Sequence, residues 1–277
     1  MPQAIDFNTG TSPTLWVDVP GGRLAAQDEG AGPPVVLVHS AVVNRRSWNG
    51  VVPHLVAAGY RAIRYDMRGY GESTSEDVEF FAHADLLAVV DHFGLDRVAV
   101  VGNSMGAVLS LDALVAAPSR FVAYVWVGGG INGYEDEPSS PAEDELFGAE
   151  SAAEQAGDWD LAAELDTRAW MDGWRDGVNQ PSTRVDPAVR AAMTAMDREL
   201  LEPGRVYGRR QEPDFSAHER LGSITQPTLV VIGDLDTVGT RAAAEELAGK
   251  VPGARIERLP NVAHIVGMEV PDVLGRL

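Results

Sequence analysis

The sequence predicts one α/β domain, in which a helical insertion interrupts a mainly parallel, doubly wound β-sheet. From residue 34 onwards, short apolar runs of β-forming residues alternate with helix-compatible segments. This alternation is typical of parallel sheets that carry helices on both faces. Between residues 131 and 218 it stops, because no strong strand pattern occurs there and three helical segments follow one another. A buried-strand pattern returns at residue 227.

The first half of the chain predicts a hairpin followed by the centre of the sheet. Residues 14–19 and 22–30 form the expected hairpin, around Pro20-Gly21-Gly22. The run "PVVLVHS" at 34–40 is continuously apolar, as expected for a parallel strand buried on both faces. We further expect strands over 60–66, 97–103 and 121–129, and helices over 47–59, 77–94 and 105–117.

The second half predicts the insertion and the last two strands. The expected elements are helices over 142–156, 158–172 and 186–202, then a strand over 227–234, a helix over 239–250 and a strand over 254–260. We therefore divide the chain into a core, residues 1–130 and 219–277, and a helical cap insertion, residues 131–218. An insertion that follows a strand's C-terminal end lies over the carboxyl edge of the sheet, where open α/β sheets bind ligands.

Composition excludes several classes of function. The 277 residues carry a formal net charge of −19, which repels nucleic acid and anionic membrane surfaces. The chain has no cysteine, so it forms no disulfides and no thiolate metal site. The start "MPQAIDFNTG" has neither a basic nor an apolar signal-peptide region, and no apolar run is long enough for a membrane span. These observations predict a cytoplasmic protein without a nucleic-acid or membrane partner.

Cofactor motifs are missing as well. No Gly-Lys-Ser/Thr follows the glycines of "DMRGYGES", and "GNSMG" lacks the dinucleotide-binding pattern G-x-G-x-x-G. No His, Asp or Glu residues have the spacing of metal ligands. The sequence therefore predicts that the protein uses no cofactor and no metal.

The stretch "VGNSMG" places Ser104 between two glycines, where a predicted strand meets a predicted helix. A sharp turn there forces the serine into a strained backbone conformation and presents its hydroxyl above the sheet, beside the N–H groups of a helix N-terminus. A serine hydroxyl is a weak nucleophile, so it needs a base and an acid that orients the base. Candidates follow the last predicted strands: Asp234 and Asp236 after one, and His264 after the next.

Five segments in order, "VVLVHS", "RYDMRGYGES", "VGNSMG", "PTLVVIGDLD" and "VAHIVGME", extend this pattern along the chain. Over nearly its whole length the sequence resembles the serine hydrolases of the α/β-hydrolase fold that carry a helical cap. The resemblance implies Ser104 as the nucleophile, His264 as the general base and Asp236 as the orienting acid, with Asp234 as the fallback for that acid.

The resemblance also implies an oxyanion hole made of two backbone N–H groups. Met105 follows the nucleophile and supplies one of them. Ala41 supplies the other, because "HSA" stands where the family usually has His-Gly-x. Ser40 in place of that glycine is a departure from the family, since it adds a side chain at a tight turn. Members of the family normally continue with a longer helix after the motif histidine, so we expect the chain ending at Leu277 to be trimmed or incompletely covered.

These features predict a cofactor-free hydrolase whose partner is a small-molecule substrate, a carboxylic ester or lactone that it cleaves through an acyl-enzyme. Carbon–carbon bond hydrolases and cofactor-free perhydrolases use the same triad and stay open as alternatives. A serine at position 104 speaks against dehalogenases and epoxide hydrolases, which carry an acid there. Outside enzymes, the alternative is a ligand-binding or receptor protein on the same fold.

Other residues have less specific interpretations. In the turn "DMRGYGES", Asp66 and Arg68 are expected to brace loops near the nucleophile, and His39 is expected to be a structural hydrogen-bonder. Trp170 and Trp174, one helical turn apart, either line an acyl pocket or pack the insertion onto the core. Six arginines of the insertion offer charge for a substrate carboxylate, although solvated ion pairs are the favoured interpretation in so acidic a chain: Arg184, Arg190, Arg198, Arg205, Arg209 and Arg210.

Overall fold

A nine-stranded β-sheet organises the chain in a computed structural model, which describes residues 5–7, 12–135, 137–179 and 182–277. In chain order, the described strands are β1 (Leu15–Val19), β2 (Gly22–Gly30), β3 (Pro34–Val38), β4 (Arg61–Tyr65), β5 (Thr74–Ser75), β6 (Glu79–Phe80), β7 (Val98–Asn103), β8 (Phe121–Val127), β9 (Trp174–Arg175), β10 (Val178–Asn179), β11 (Arg209–Arg210), β12 (Thr228–Gly233) and β13 (Arg255–Leu259).

The main sheet has the order β1-β2-β4-β3-β7-β8-β12-β13, with β5 paired to β2. Strands β1 and β2 form the predicted antiparallel hairpin. Along the order of the main sheet, the pairings β4-β3, β3-β7, β7-β8, β8-β12 and β12-β13 are all parallel. Val38 at the end of β3 is in register with Tyr65 and with Gly102, so neighbouring strands end at one edge. This confirms the predicted mainly parallel sheet.

The described helices follow the predicted order. They are α1 (Val52–Ala57), α2 (Ala82–His92), α3 (Met105–Ala116), α4 (Pro141–Ala156), α5 (Trp159–Thr167), α6 (Pro187–Leu200), α7 (Ala217–Arg220), α8 (Val238–Lys250), α9 (Val266–Glu269) and α10 (Pro271–Leu274). Helix α4 begins at a capping box, in which Ser140 and Glu143 satisfy each other's backbone N–H groups. It ends at Gly157, whose φ of 74° is one that a residue with a side chain rarely adopts.

Apolar side chains cover both faces of the sheet, as the doubly wound arrangement requires. Helices α2, α3 and α8 pack on the face that carries Leu24, Val36, Ile63, Val100, Tyr124 and Val230. Helices α1, α9 and α10 pack on the face that carries Val35, Leu37, Ala62, Val101, Val127 and Val231. Burial of each large apolar side chain stabilises the fold by about 1.5–3 kcal/mol, so these two layers hold the strand ends in place.

Three predicted helices differ from the structure. The expected helix over 47–59 is divided into a 3₁₀ turn, Arg45–Trp48, and α1. The expected helix over 77–94 begins only at Ala82, because Val78 and Phe80 use their backbone carbonyls to pair β6 with β11. In place of the expected helix over 158–172, α5 ends at Thr167, and a π-helix follows over Arg168–Asp172.

The insertion, residues 131–218, has a small apolar cluster of its own and a second one shared with the core. Its own cluster includes Leu146, Leu165 and Trp174, whereas Met193 packs with Val43 of the loop after β3 in the shared cluster. The described strands of the insertion are β9, β10 and β11, each of only two residues, so they are consistent with the predicted lack of a strong strand there. The division into a core and an insertion domain stays a prediction. Among the described residues, no helix is long and apolar enough to cross a bilayer.

Candidate active site

Ser104 lies at the turn between β7 and α3, with φ 57° and ψ −121°. The two flanking glycines are required by close backbone packing. A Cβ added to Gly102 would lie 2.3 Å from the carbonyl oxygen of Gly106, and one added to Gly106 would lie 2.3 Å from that of Val38. The Ser104 N–H donates to the Val127 carbonyl at 2.9 Å, which fixes the turn against β8. The sequence pattern thus marks a strained turn at the carboxyl edge of the sheet.

Asp236 and His264 form a buried pair at the same edge. The imidazole Nδ1 lies 2.9 and 2.8 Å from the two carboxylate oxygens, and the residues are only 1% and 3% exposed. Because a carboxylate can only accept there, Nδ1 carries the proton and Nε2 is left as the basic nitrogen. The fallback acid Asp234 is exposed and instead accepts the N–H of Asn261 at 2.6 Å.

Asn103 joins this pair to the serine turn. Its buried side-chain amide donates to the backbone carbonyls of His264 and Val127, each at 3.0 Å. No hydrogen bond joins the Ser104 hydroxyl to the His264 imidazole among the described residues, and such bonds often tighten only when substrate binds. Sequence reasoning assigned no role to Asn103, although a polar residue ending an apolar strand was a signal.

Glu269 braces the loop that carries His264. Its carboxylate accepts the N–H groups of Ala263 at 2.9 Å and Ile265 at 3.1 Å, on either side of the histidine, and forms an ion pair with Arg184. Complete burial raises the pKa of Glu269, while Arg184 opposes that rise. The solvated ion pair expected for Arg184 is therefore a buried one.

Trp170 covers the imidazole from the insertion. The two ring centroids are 4.5 Å apart, and the backbone N–H of His264 donates to the backbone carbonyl of Trp170 at 3.1 Å. The indole N–H in turn donates to Asp166 at 3.0 Å. Trp174 lies in β9, not on the same helix one turn after Trp170 as expected, and it packs inside the insertion. Of the two tryptophans, Trp170 is the one against the site.

The loop after β3 approaches the N-terminus of α3, where the oxyanion hole was expected. His39 is fully buried, donates from Nδ1 to the Ser40 carbonyl at 2.8 Å and accepts the Met67 N–H on Nε2 at 2.9 Å. Burial lowers the pKa of His39, which keeps it neutral in this structural role. Ser40 is buried and has no positive φ, so its replacement of the family glycine creates no left-handed strain. Ala41 follows in a turn.

Asp66 and Arg68 hold the neighbouring loops through buried contacts. Asp66 accepts the backbone N–H of Arg45 at 2.8 Å and that of Glu72 at 2.9 Å, and it pairs with the Arg45 guanidinium. Arg68 forms a two-pronged pair with Asp85 at 2.8 and 2.9 Å. The loop that contains Ala41 is therefore anchored at its far end.

Two cavities are lined by residues that neighbour the site: Met105, which follows Ser104, lines the first, and Trp170, which contacts His264, lines the second. The first, which we name the Met105 cavity, has a volume of about 160 Å³ and is lined by Tyr70, Phe80, Met105, Leu109, Tyr207 and Arg210, among others. The second, which we name the Trp170 cleft, has about 260 Å³ and is lined by Gly129, Glu143, Phe147, Trp170 and Thr237, among others. Within the described ranges, no group of three or more His, Asp or Glu residues could hold a metal ion.

Comparisons with known proteins give full-length relatives. Rhodomycin D methylesterase DnrP of Streptomyces peucetius is 26% identical over 287 residues, covering 96% of this chain and 94% of the relative. Putative non-heme bromoperoxidase BpoC of Mycobacterium tuberculosis is 28% identical over 263 residues, covering 91% and 95%. The solved structure of a hydrolase from Pseudomonas aeruginosa matches with a TM-score of 0.72 and 26% identity, over 97% of each chain.

The comparison with protein families agrees with the geometry. The family described as the alpha/beta hydrolase fold matches residues 33–271, from the start of the parallel sheet to the last helix. That stretch includes the strained serine turn, the buried acid–imidazole pair and the insertion between β8 and β12. The chain therefore belongs to the α/β-hydrolase fold family.

Proposed function

We propose that the protein hydrolyses a carboxylic ester or lactone, with Ser104 as nucleophile, His264 as general base and Asp236 as the acid that orients the imidazole. The observation that carries the proposal is the buried Asp236–His264 pair, which Asn103 ties to the strained serine turn. The likeness to a relative named as a methylesterase supports the same reaction class.

In the first step, the Ser104 oxygen attacks the carbonyl carbon while His264 Nε2 takes the hydroxyl proton. The tetrahedral intermediate collapses as the imidazolium gives that proton to the leaving alkoxide, and an acyl-serine remains. Water, deprotonated by His264, then attacks the acyl-serine, and the acid is released as the imidazolium returns its proton to the Ser104 oxygen. Asp236 keeps the proton on Nδ1 throughout and stabilises the imidazolium that forms twice in the cycle.

The backbone N–H groups of Met105 and Ala41 are the proposed donors to the oxyanion. Met105 begins α3, so its N–H is one of the helix's unpaired donors and lies at the positive end of the helix dipole. The loss of one donor of this kind typically costs about 3 kcal/mol of transition-state stabilisation. Fixed backbone donors need no reorganisation during the reaction, and the buried Asp66 contacts hold the Ala41 loop in position.

The test combines a fluorophosphonate probe with turnover of 4-nitrophenyl acetate. We expect the wild-type protein to be labelled and active, and Ser104→Ala to lose both properties. Ser119→Ala, an exposed serine beyond α3, is the matched control and should keep both. Labelling and turnover that survive in Ser104→Ala would overturn the proposal. Binding of ester analogues by a wild-type protein without turnover would favour the receptor alternative instead.

Perhydrolysis is the second candidate, because a full-length relative is named as a putative non-heme bromoperoxidase. Hydrogen peroxide would replace water in the second step, attack the acyl-serine and release a peracid, with the serine regaining its proton through His264. The two reactions are distinguished by adding peroxide to the ester assay. Peracid formed at the expense of acid, and absent in Ser104→Ala, would favour the perhydrolase.

A further inference from the structure

We propose that the Met105 cavity binds the acyl part of the substrate, that it holds one aromatic ring or a chain of about six carbons, and that Arg210, which lines the same cavity, binds a carboxylate carried by that group. The preferred substrates are then monoesters of dicarboxylic acids, or esters of acids with a ring that bears a carboxylate. This inference rests on the proposed ester hydrolysis and names its substrate class.

The position of His264 decides which part of the ester enters which cavity. The imidazole must protonate the leaving oxygen, so the alcohol part lies on the His264 side. Trp170 stands against that imidazole and lines the Trp170 cleft, which therefore takes the alcohol. The acyl part extends in the other direction, past the Met105 N–H that holds the carbonyl oxygen, and enters the Met105 cavity.

The size and walls of the cavity set the kind of acyl group. Its volume of about 160 Å³ is close to that of a roughly 150 Å³ protein cavity that binds benzene. The rings of Tyr70 and Tyr207 meet edge to face at 5.3 Å on one side, and Phe80 lies on another. Such walls favour an apolar group of one ring or a short chain over a polar or a long one.

Two arginines line the Met105 cavity, and only one of them, Arg210, has a guanidinium that is free of a buried ion pair. Arg68 is buried and paired in both prongs with Asp85, so it has no charge to offer a ligand. The Arg210 side chain is 45% exposed, and its Nη1 donates to the Met105 sulfur at 2.8 Å. A thioether is a weak acceptor, so a carboxylate would displace it readily.

The ion pair of Arg210 is also weak. Its Nη2 lies 3.3 Å from Glu212, whose side chain is 63% exposed, and an exposed pair of this kind stabilises little. The planar guanidinium can instead bind a substrate carboxylate through two parallel hydrogen bonds. The neighbouring Arg209 is paired with Asp77 at 2.6 Å and donates to the Asp77 carbonyl, so it offers a matched control outside the cavity.

The test compares 4-nitrophenyl esters that differ in acyl charge and length. For the wild-type enzyme, kcat/KM should be higher with the singly charged adipate monoester than with the neutral hexanoate. Arg210→Gln should lower the adipate-to-hexanoate ratio of kcat/KM by about 10-fold to 100-fold, the range for a hydrogen bond between charged groups. Arg209→Gln should leave the ratio unchanged. An unchanged ratio in Arg210→Gln, or equal falls in both variants, would overturn the role of Arg210.

A second variant tests the cavity itself. Ala82 begins α2 and lines the Met105 cavity, so Ala82→Leu adds volume there within a helix. We expect the hexanoate-to-acetate ratio of kcat/KM to fall at least about 10-fold, and an unchanged ratio would refute the acyl assignment. A wild-type protein that hydrolyses no ester in a Ser104-dependent way would refute the proposed function itself, which is a different result from either failure above.

Discussion

Replacing Ser104 by glycine is expected to stabilise the protein while it removes the proposed nucleophile. Ser104 has φ 57° and ψ −121°, a conformation that residues with a Cβ rarely adopt. A residue held in such a region costs on the order of 1–3 kcal/mol. Glycine adopts it freely, but it loses about 0.5–1 kcal/mol more in backbone entropy on folding than alanine does. The difference predicts a net gain of about 1 kcal/mol in the free energy of unfolding.

Thermal and urea unfolding of the wild type, Ser104→Gly and Ser104→Ala provide the measurement. For a chain of this length, about 1 kcal/mol corresponds to a rise in Tm of roughly 2–4 °C. Ser104→Ala keeps the Cβ and therefore the strain, so its Tm should stay close to that of the wild type. If Ser104→Gly is no more stable than Ser104→Ala, the turn stores no strain energy and the reasoning fails.

Three further predictions concern stability and its link to the site. Burial raises the pKa of Asp197, which faces Asp166 in the insertion, so the folded protein keeps a proton that the unfolded chain releases above about pH 4. The free energy of unfolding is therefore highest at low pH and falls as the pH rises towards the pKa of Asp197 in the folded protein. Asp197→Asn should raise Tm more at pH 8 than at pH 5. An equal rise at both pH values would contradict this prediction. Asn103→Ala removes two buried hydrogen bonds and should lower the free energy of unfolding, measured in urea, by about 1–3 kcal/mol. It should also lower kcat more than it changes KM. A variant with the stability and the kcat of the wild type would show that the link to His264 has no effect. Gly106→Ala places a Cβ against backbone and should destabilise by at least about 1–3 kcal/mol, so a wild-type unfolding midpoint would disprove the close packing.

The centre of the main sheet could be predicted because its strands are buried on both faces. Runs such as those of β3, β7 and β12 are continuously apolar, and a glycine or polar residue ends each run where the chain turns. The candidates Ser104 and Asp236 follow two of these strands, and His264 follows the edge strand β13, so their side chains were expected at one edge of the sheet. Local patterns suffice for this, because parallel strands connected by helices place their carboxyl ends together.

The insertion was less predictable because its contacts, more than its local pattern, determine its structure. Strand β11 forms only by pairing with β6, whose residues lie about 130 positions earlier in the chain. The local sequence around Trp170 predicts a helix, but it does not determine whether the indole packs inside the insertion or against the His264 imidazole. The support that Glu269 gives to the His264 loop likewise depends on two N–H groups that only the folded loop presents together.

The sequence by itself determined the alternation of strands and helices, the strained turn at Ser104, and the chain order of the candidate serine, aspartates and histidine. Each follows from local properties: apolar runs, flanking glycines and polar residues after strands. Only the tertiary structure decided that Asp236 rather than Asp234 contacts His264, and that Asn103, Glu269 and Trp170 surround the imidazole. Side chains two residues apart at a turn can face solvent or the interior, and the packing of distant segments selects between them.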